Sequence, residues 1–316
     1  MGGHALAVAA PLTMKDLVSR EALDAGRAKP ARLAVIGHPV GHTASPAMQQ
    51  AALDERGIDV RYVALDVEPG RVGEAFGRMR DLGFHGCNVT VPHKFDALAA
   101  CTEVDPVAED LGAVNTVVFE DGAVRGYNTD GPGFVRAIRE EFGVDVRDLR
   151  VMILGAGGGA GQALAAQCAR EGCGQLTLVN RTVEKLVPLA ARLEVHFQGD
   201  RLEGPGDRLR ALGLGDPALK EAAADCDLIV NCTSVGLRHG DPSPLPEVCL
   251  GPWHLVYDAI YRPARTPLIR AAANVGARSA NGLSMLLHQG ALAFEIWFSG
   301  EASLARMREA LNGSVS

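Results

Sequence analysis

Arg150-Val151-Met152-Ile153-Leu154-Gly155-Ala156-Gly157-Gly158-Gly159-Ala160 sets the architecture of this chain. A short apolar run ends on a glycine string that opens a small-residue helical stretch, the order strand, phosphate loop, helix. Gly155 permits the tight turn, Gly157 lets backbone approach a pyrophosphate, and Ala160 is the small third position that allows close helix packing. The helix N-terminus adds backbone N–H groups that stabilise an anion. Gly155, Ala156, Gly157, Gly158, Gly159 and Ala160 are therefore candidate dinucleotide-binding residues.

Downstream, a helix near 160–171 and a strand at 175–180 follow. An acidic residue at the end of that strand would bind the ribose hydroxyls of NAD and repel a 2′-phosphate. The chain instead has Asn180-Arg181-Thr182 with Lys185 close behind, which favours NADP through charge-assisted hydrogen bonds. Arg181 taken alone also fits an exposed residue flanking a helix. Strands at 228–231 and 255–259, with helices near 183–193 and 216–224, continue the series. The Gly- and Asp-rich stretch 198–217 reads as a surface insertion.

Upstream the same alternation begins at strand 33–36 and runs through helix 45–56, strand 60–65, helix 69–81 and strand 86–91. Asp121-Gly122 between two apolar runs predicts a hairpin turn. A helix over 131–142 then leads into the nucleotide series. The fold class is α/β in two domains: an N-terminal open, mainly parallel α/β substrate domain and a Rossmann-type dinucleotide-binding domain. Residues 1–30 read as a polar extension, 31–130 with 283–316 as the substrate-binding and catalytic domain, and 131–282 as the NADP-binding domain. The apolar helix over 283–297 should be largely buried and return to the first domain.

Composition narrows the function. At 316 residues the chain exceeds what one core efficiently serves, and 47% apolar with 22% charged residues describes an ordinary globular protein. A net charge of −7 without any Lys/Arg run argues against nucleic acid. The seven cysteines show no CxxC spacing, so reduced thiols in a cytoplasmic protein are expected rather than disulfides or zinc. His38 and His42 are set among Gly37, Pro39 and Gly41, which forbid the helix that would align them on a metal; no metal is expected. The early apolar run is too short to span a membrane.

Basic residues here are overwhelmingly arginine, with only five lysines among 31. Lysine can deprotonate where arginine cannot, so Lys94, just after the polar strand Asn88-Val89-Thr90-Val91, is a candidate proton-transfer group. From Lys94 alone a solvated surface lysine is the commoner outcome. Asn88, Thr90 and Asn115 are uncharged donors and acceptors that suit a polyhydroxylated ligand. Asp130, within Asn128-Thr129-Asp130, could pair with Lys94 or cap the helix that follows.

These motifs resemble, in order, those of the shikimate dehydrogenase family with its quinate/shikimate relatives, from about residue 33 onward. The resemblance implies that Lys94 and Asp130 are catalytic and that Asn88, Thr90 and Asn115 bind substrate. It further implies that Thr43 and Ser45 hold a substrate carboxylate, that Tyr261 and Gln289 line the substrate site, and that Thr233, Ser234, Ala259 and Gly282 lie on the cofactor side. Thr43 stands where the family has serine, Gln49-Gln50 where His-Asn is frequent, Asn281 where Asp is common, and Gly161 where a basic residue often follows the glycines. The implied activity is reversible, NADP-dependent reduction of 3-dehydroshikimate to shikimate, within aromatic amino acid and chorismate biosynthesis, by a cytoplasmic monomer or homodimer. A quinate/shikimate or aminoshikimate dehydrogenase, and a non-catalytic nucleotide-binding regulator, stay open at this point.

Overall fold

The structure is a computed structural model and describes residues 10–198 and 208–315. Its first part runs β1 (Leu12–Thr13), α1 (Arg20–Asp24), β2 (Ala31–Gly37), α2 (Ser45–Glu55), β3 (Arg61–Asp66), α3 (Val72–Asp81), β4 (Gly86–Val89), α4 (Lys94–Ala100), β5 (Glu103–Val104), α5 (Pro106–Leu111), β6 (Thr116–Glu120), β7 (Ala123–Tyr127) and α6 (Asp130–Phe142). The second runs β8 (Arg150–Leu154), α7 (Gly159–Glu171), β9 (Gln175–Asn180), α8 (Leu186–Leu193), β10 (Leu209–Gly213), α9 (Leu219–Ala224), β11 (Leu228–Asn231), β12 (Leu255–Asp258), α10 (Pro267–Asn274) and β13 (Arg278–Asn281). Helices α11 (Leu283–Phe298) and α12 (Leu304–Val315) close the chain.

Two sheets result, in the α/β architecture the sequence predicts. The first has the order β1-β3-β2-β4-β6-β7-β5, and the second β10-β9-β8-β11-β12-β13. The second is parallel throughout and has the doubly wound order whose crevice opens beyond β8 and β11. In the first sheet β6 runs antiparallel to β4 and to β7. Asp121 and Gly122 both take positive φ, 51° and 79°, the two-residue turn that matches strand twist.

Strand alternation explains why both faces of each sheet are apolar. Leu33 and Val35 face α2, α11 and α12, whereas Ala34 and Ile36 face α3 and α4. Val151 and Ile153 pack toward α6, α7 and α8, whereas Met152 and Leu154 pack toward α9 and α10. Helix α11 does return to the first sheet: Leu287, Ala291 and Phe294 join the Leu33–Val35 cluster, and Trp297 Nε1 donates to Val117 O at 3.0 Å.

Three sequence expectations are corrected. Residues 1–9 lie outside the described residues, but 10–30 are no polar extension. Strand β1 pairs in parallel with β3, Leu12 opposite Leu65, and Met14, Leu17 and Leu23 enter the core. Within 198–217, residues 199–207 lie outside the described residues, whereas 209–213 form β10, the edge strand paired with β9. A two-residue strand and a half-buried edge strand are too short or too polar to show a period of two. Strand 86–91 ends at Val89, and Lys94 opens a helix.

Candidate active site

The open edge of the first sheet gathers the polar motifs. Asn88 near the end of β4 lies opposite Thr116 at the start of β6, and Thr116 lies opposite Tyr127 at the end of β7. The segments after β2, β4 and β7 therefore emerge side by side. Thr90 N donates to Ile36 O at 2.9 Å and His38 N to Val91 O at 3.1 Å, tying the first two together.

Lys94 and Asp130 meet at this edge. Lys94 Nζ donates to Asp130 Oδ2 at 2.6 Å, with Lys94 9% and Asp130 5% exposed. Each is aimed by its backbone. The His93 ring, fully buried, donates from Nε2 to Val67 O at 2.6 Å and so fixes the start of α4. Asn128 Oδ1 accepts from the backbone N–H of Asp130 (2.9 Å) and Gly131 (3.2 Å), and its Nδ2 donates to Ala113 O at 2.7 Å. Asn128, one residue before the N-cap Thr129, thus satisfies the first free N–H groups of α6, which frees the Asp130 carboxylate for Lys94.

Around the pair runs a closed polar network. Tyr62 Oη donates to Asn88 Oδ1 (2.7 Å), and Asn88 Nδ2 donates to Thr116 Oγ1 (3.0 Å) and Asn115 O (3.3 Å). Asn115 Oδ1 accepts from Thr129 N (2.7 Å), and its Nδ2 reaches Thr129 Oγ1 (2.9 Å) and Gln289 Oε1 (3.5 Å). Asn88, Asn115 and Gln289 are brought together, but the Asn88 amide is largely spent within the protein. Tyr62, Thr116 and Thr129 were invisible as partners, because nothing in their sequence neighbourhood marks a contact made across three strands.

Thr43 and Ser45 stand apart from that network, at the N-terminus of α2. Thr43 Oγ1 donates to Ser45 Oγ at 3.2 Å, and Ser45 N donates back to Thr43 Oγ1 at 3.3 Å. Two hydroxyls at a helix N-terminus suit a carboxylate. Tyr261, which follows β12 of the other sheet, crosses to this loop: burial raises its phenol pKa, and the Ala44 backbone N–H bonded to it works the other way.

The nucleotide side faces Lys94 directly. A Cβ built on Gly159, the first residue of α7, would lie 3.4 Å from Lys94 Cβ. The glycine loop fits a dinucleotide: Gly155 has φ +80°, and a Cβ on Gly157 would fall 2.7 Å from Asn180 Nδ2, so backbone is bared where a pyrophosphate would approach. The close helix contact is made at Gly161, where a Cβ would run into the Gly155 carbonyl and come within 2.8 Å of Ala156 Cα; Ala160 is partly exposed. Gly161 is therefore a packing residue, with no room for the basic side chain that often stands at this position in the family the sequence resembles. Ala156 points into the core. Arg181, Thr182 and Lys185 are exposed, and Asn180 Nδ2 donates to Thr182 O at 2.8 Å.

On the other flank Thr233 Oγ1 donates to Asn231 Oδ1 at 2.7 Å, and Ser234 is exposed. Gly282 is pressed beneath the Ala259 carbonyl, so it serves that wall by packing. The Cys232 thiol registers both halves: burial pushes it up to about 12, the Asp258 charge adds to this, Lys94 opposes it and Asp130 adds again. Among the described residues no group of His, Cys, Asp or Glu could hold a metal ion, and no helix is long and apolar enough to cross a membrane.

Comparison with known proteins agrees with this geometry. Residues 35–117 match the family model of the shikimate dehydrogenase substrate binding domain, and 282–311 that of the shikimate 5′-dehydrogenase C-terminal domain. A shikimate dehydrogenase (NADP+) of Methanopyrus kandleri is 43% identical over 88% of this chain and 93% of its own length. A shikimate dehydrogenase crystallised with NADP+ superposes with TM-score 0.80 at 36% identity, covering 90% of this chain and 95% of that one. The Thermus thermophilus shikimate 5-dehydrogenase crystallised with NADP(H) and shikimate gives 0.77 at 35% identity, with coverages of 90% and 99%.

Proposed function

Because the chain belongs to the shikimate dehydrogenase family, we propose that it catalyses the reversible, NADP-dependent oxidation of shikimate to 3-dehydroshikimate. The observation that carries the reading is the buried Lys94–Asp130 pair, 2.6 Å apart, on the open edge of one sheet and against the glycine loop of the other. A neutral polar network with one ion pair matches a polyhydroxylated substrate that exchanges one proton.

NADP, when bound, supplies the hydride acceptor or donor. Gly155, Gly157 and the α7 N-terminus would hold its pyrophosphate, and Arg181, Thr182 and Lys185 its 2′-phosphate. In the oxidative direction Lys94, acting from its neutral amine form, takes the proton of the reacting hydroxyl and becomes the ammonium as the hydroxyl's carbon loses hydride; in reduction the ammonium returns that proton. Asp130 orients Lys94 and accepts a hydrogen bond from a neighbouring substrate hydroxyl. Thr43 and Ser45 anchor the carboxylate, which fixes the ring relative to Lys94. Asn115 and Gln289 contribute the remaining polar contacts, while Asn88 and Tyr62 hold Asn115 in place. Residues 131–282 act as the cofactor-binding unit, and 31–130 with the C-terminal helices as the substrate-binding one.

Initial rates of NADPH or NADH formation, with shikimate and quinate each paired with NADP and NAD, test this. Turnover should be greatest with shikimate and NADP. No turnover with any pair would remove the dehydrogenase reading, and an NAD preference would remove the role given to Arg181 and Lys185.

A further inference from the structure

Asp258, the last residue of β12, is fully buried, and every group bonded to it is a neutral donor. Oδ1 accepts from Asn231 Nδ2 (3.0 Å) and Ile260 N (3.0 Å), and Oδ2 from Thr266 Oγ1 (2.6 Å). Burying a carboxylate without a counter-ion is unfavourable, and burial raises its pKa. A neutral side chain would fill the space at lower cost. What the charge adds is strength in three short-range bonds.

Those bonds converge from both segments that wall the cleft on the nucleotide side. Asn231, held by Asp258, passes the constraint to Thr233 through Oδ1, which accepts from Thr233 N (3.0 Å) and Oγ1 (2.7 Å); Val235 N then donates to Thr233 Oγ1 (3.1 Å). Ile260, held on the other side, accepts from Gly282 N at 3.2 Å and precedes Tyr261, which reaches Ala44 across the cleft. Asp258 thereby links residues 231–236, residues 258–261 and the start of α11.

We propose that Asp258 is a positioning residue for hydride transfer: its carboxylate locks residues 231–236 to residues 258–261, and so fixes the surface against which the nicotinamide ring rests opposite Lys94. This rests on the functional reading above.

The test compares wild type with Asp258→Asn, Asn231→Ala and Thr266→Val. Asp258→Asn keeps shape and removes charge; Asn231→Ala cuts the link to residues 231–236 and leaves the carboxylate; Thr266→Val removes one donor to Asp258 Oδ2 and the acceptor that caps α10, but leaves the links to Asn231 and Ile260 in place. Amide hydrogen exchange without cofactor should quicken at Thr233 and Val235 in the first two variants, and at Ile260 in Asp258→Asn. Their kcat should fall about tenfold with shikimate KM nearly constant. The isotope effect with shikimate deuterated at the reacting carbon should rise, because hydride transfer becomes rate-limiting. Thr266→Val should melt earlier with its isotope effect unchanged.

Unchanged exchange at Thr233 and Ile260 in Asp258→Asn overturns the proposal. So does a wild-type kcat and isotope effect in that variant, or an equal rise of the isotope effect in Thr266→Val. If Asp258→Asn does not fold, Asn231→Ala decides alone by the same signs. A wild type that does not oxidise shikimate refutes the functional reading instead, and the exchange data still report separately whether the clamp exists.

Discussion

Replacing Lys94 with Met removes the ammonium and keeps most of the stem, which separates two consequences of one contact. Asp130 would be left 5% exposed without the partner now 2.6 Å away. Breaking a buried ion pair from one side costs about 3–5 kcal/mol. The pair lies at the cleft wall, with side chains 11% and 7% exposed, so water can reach the orphaned carboxylate and the lower end, about 3 kcal/mol, is expected. The double variant Lys94→Met/Asp130→Asn buries no charge and should regain about half of that. Loss of the proton-transfer group should lower kcat by about 10²–10⁴-fold. Urea midpoints followed by Trp fluorescence measure the first effect, and NADPH absorbance the second. If Lys94→Met unfolds at the same urea concentration as wild type, the pair is not the buried contact described. If it turns over within about threefold of wild type, Lys94 is not the proton-transfer group.

Three further perturbations address the surroundings. Gly161→Ala puts a Cβ against the Gly155 carbonyl and should cost about 1–3 kcal/mol while weakening NADPH binding; titration of NADPH fluorescence checks it, and unchanged affinity would remove Gly161 from the loop's packing. Arg181→Ala should raise the KM for NADP by roughly 10–100-fold and leave that for NAD within about twofold, the size of one charge-assisted bond. Glu140 is held below the usual carboxylate range first by Arg308, against its burial, and then by His288. Its folded pKa lies below its unfolded one, so its contribution is present above the unfolded value and lost as pH falls through the folded value. Glu140→Gln should therefore lose less stability than wild type between about pH 5 and pH 3, as thermal melts across that range would show.

The nucleotide half was legible because its signal is local. A strand, a glycine string and a helix follow one another within residues 150–171, and each glycine has a backbone reason to be there. The buried pair proposed as catalytic was legible as two candidate residues though not in geometry: Lys94 and Asp130 are 36 positions apart and meet only because β4, β6 and β7 are neighbours. The assignment of the close helix contact to Ala160 failed for a similar reason. Spacing placed the close contact at Ala160, whereas the helix turns Gly161 toward the loop, a difference of one residue that only three-dimensional rotation decides. Strands β1 and β10 escaped for want of length or alternation. Tyr62, Asn128 and Asp258 escaped because a buried polar residue is recognised by its partners, and those partners come from other strands and loops.

The placement of the pair also bears on how the two halves communicate. The chain passes between sheets through α6 and α11, and both connectors carry site residues: Asp130 begins α6, and Gln289 lies in the second turn of α11. The two helices touch tightly there, for a Cβ on Gly133 would fall within 2.9 Å of the Gln289 backbone. Farther along, His288 Nε2 donates to Glu140 Oε2 at 2.8 Å, and Arg308 from α12 binds the same carboxylate. Elsewhere between the halves, Arg170 of α7 pairs with Asp110, and Arg192 of α8 lies over Gly112, so the turn leading to Asn115 rests on the second sheet's helices. A rotation of one sheet against the other would have to bend or slide these contacts. Asp130 and Gln289 sit on them and Asn115 reaches Gln289, so any such rotation would shift the polar groups around Lys94 along with it.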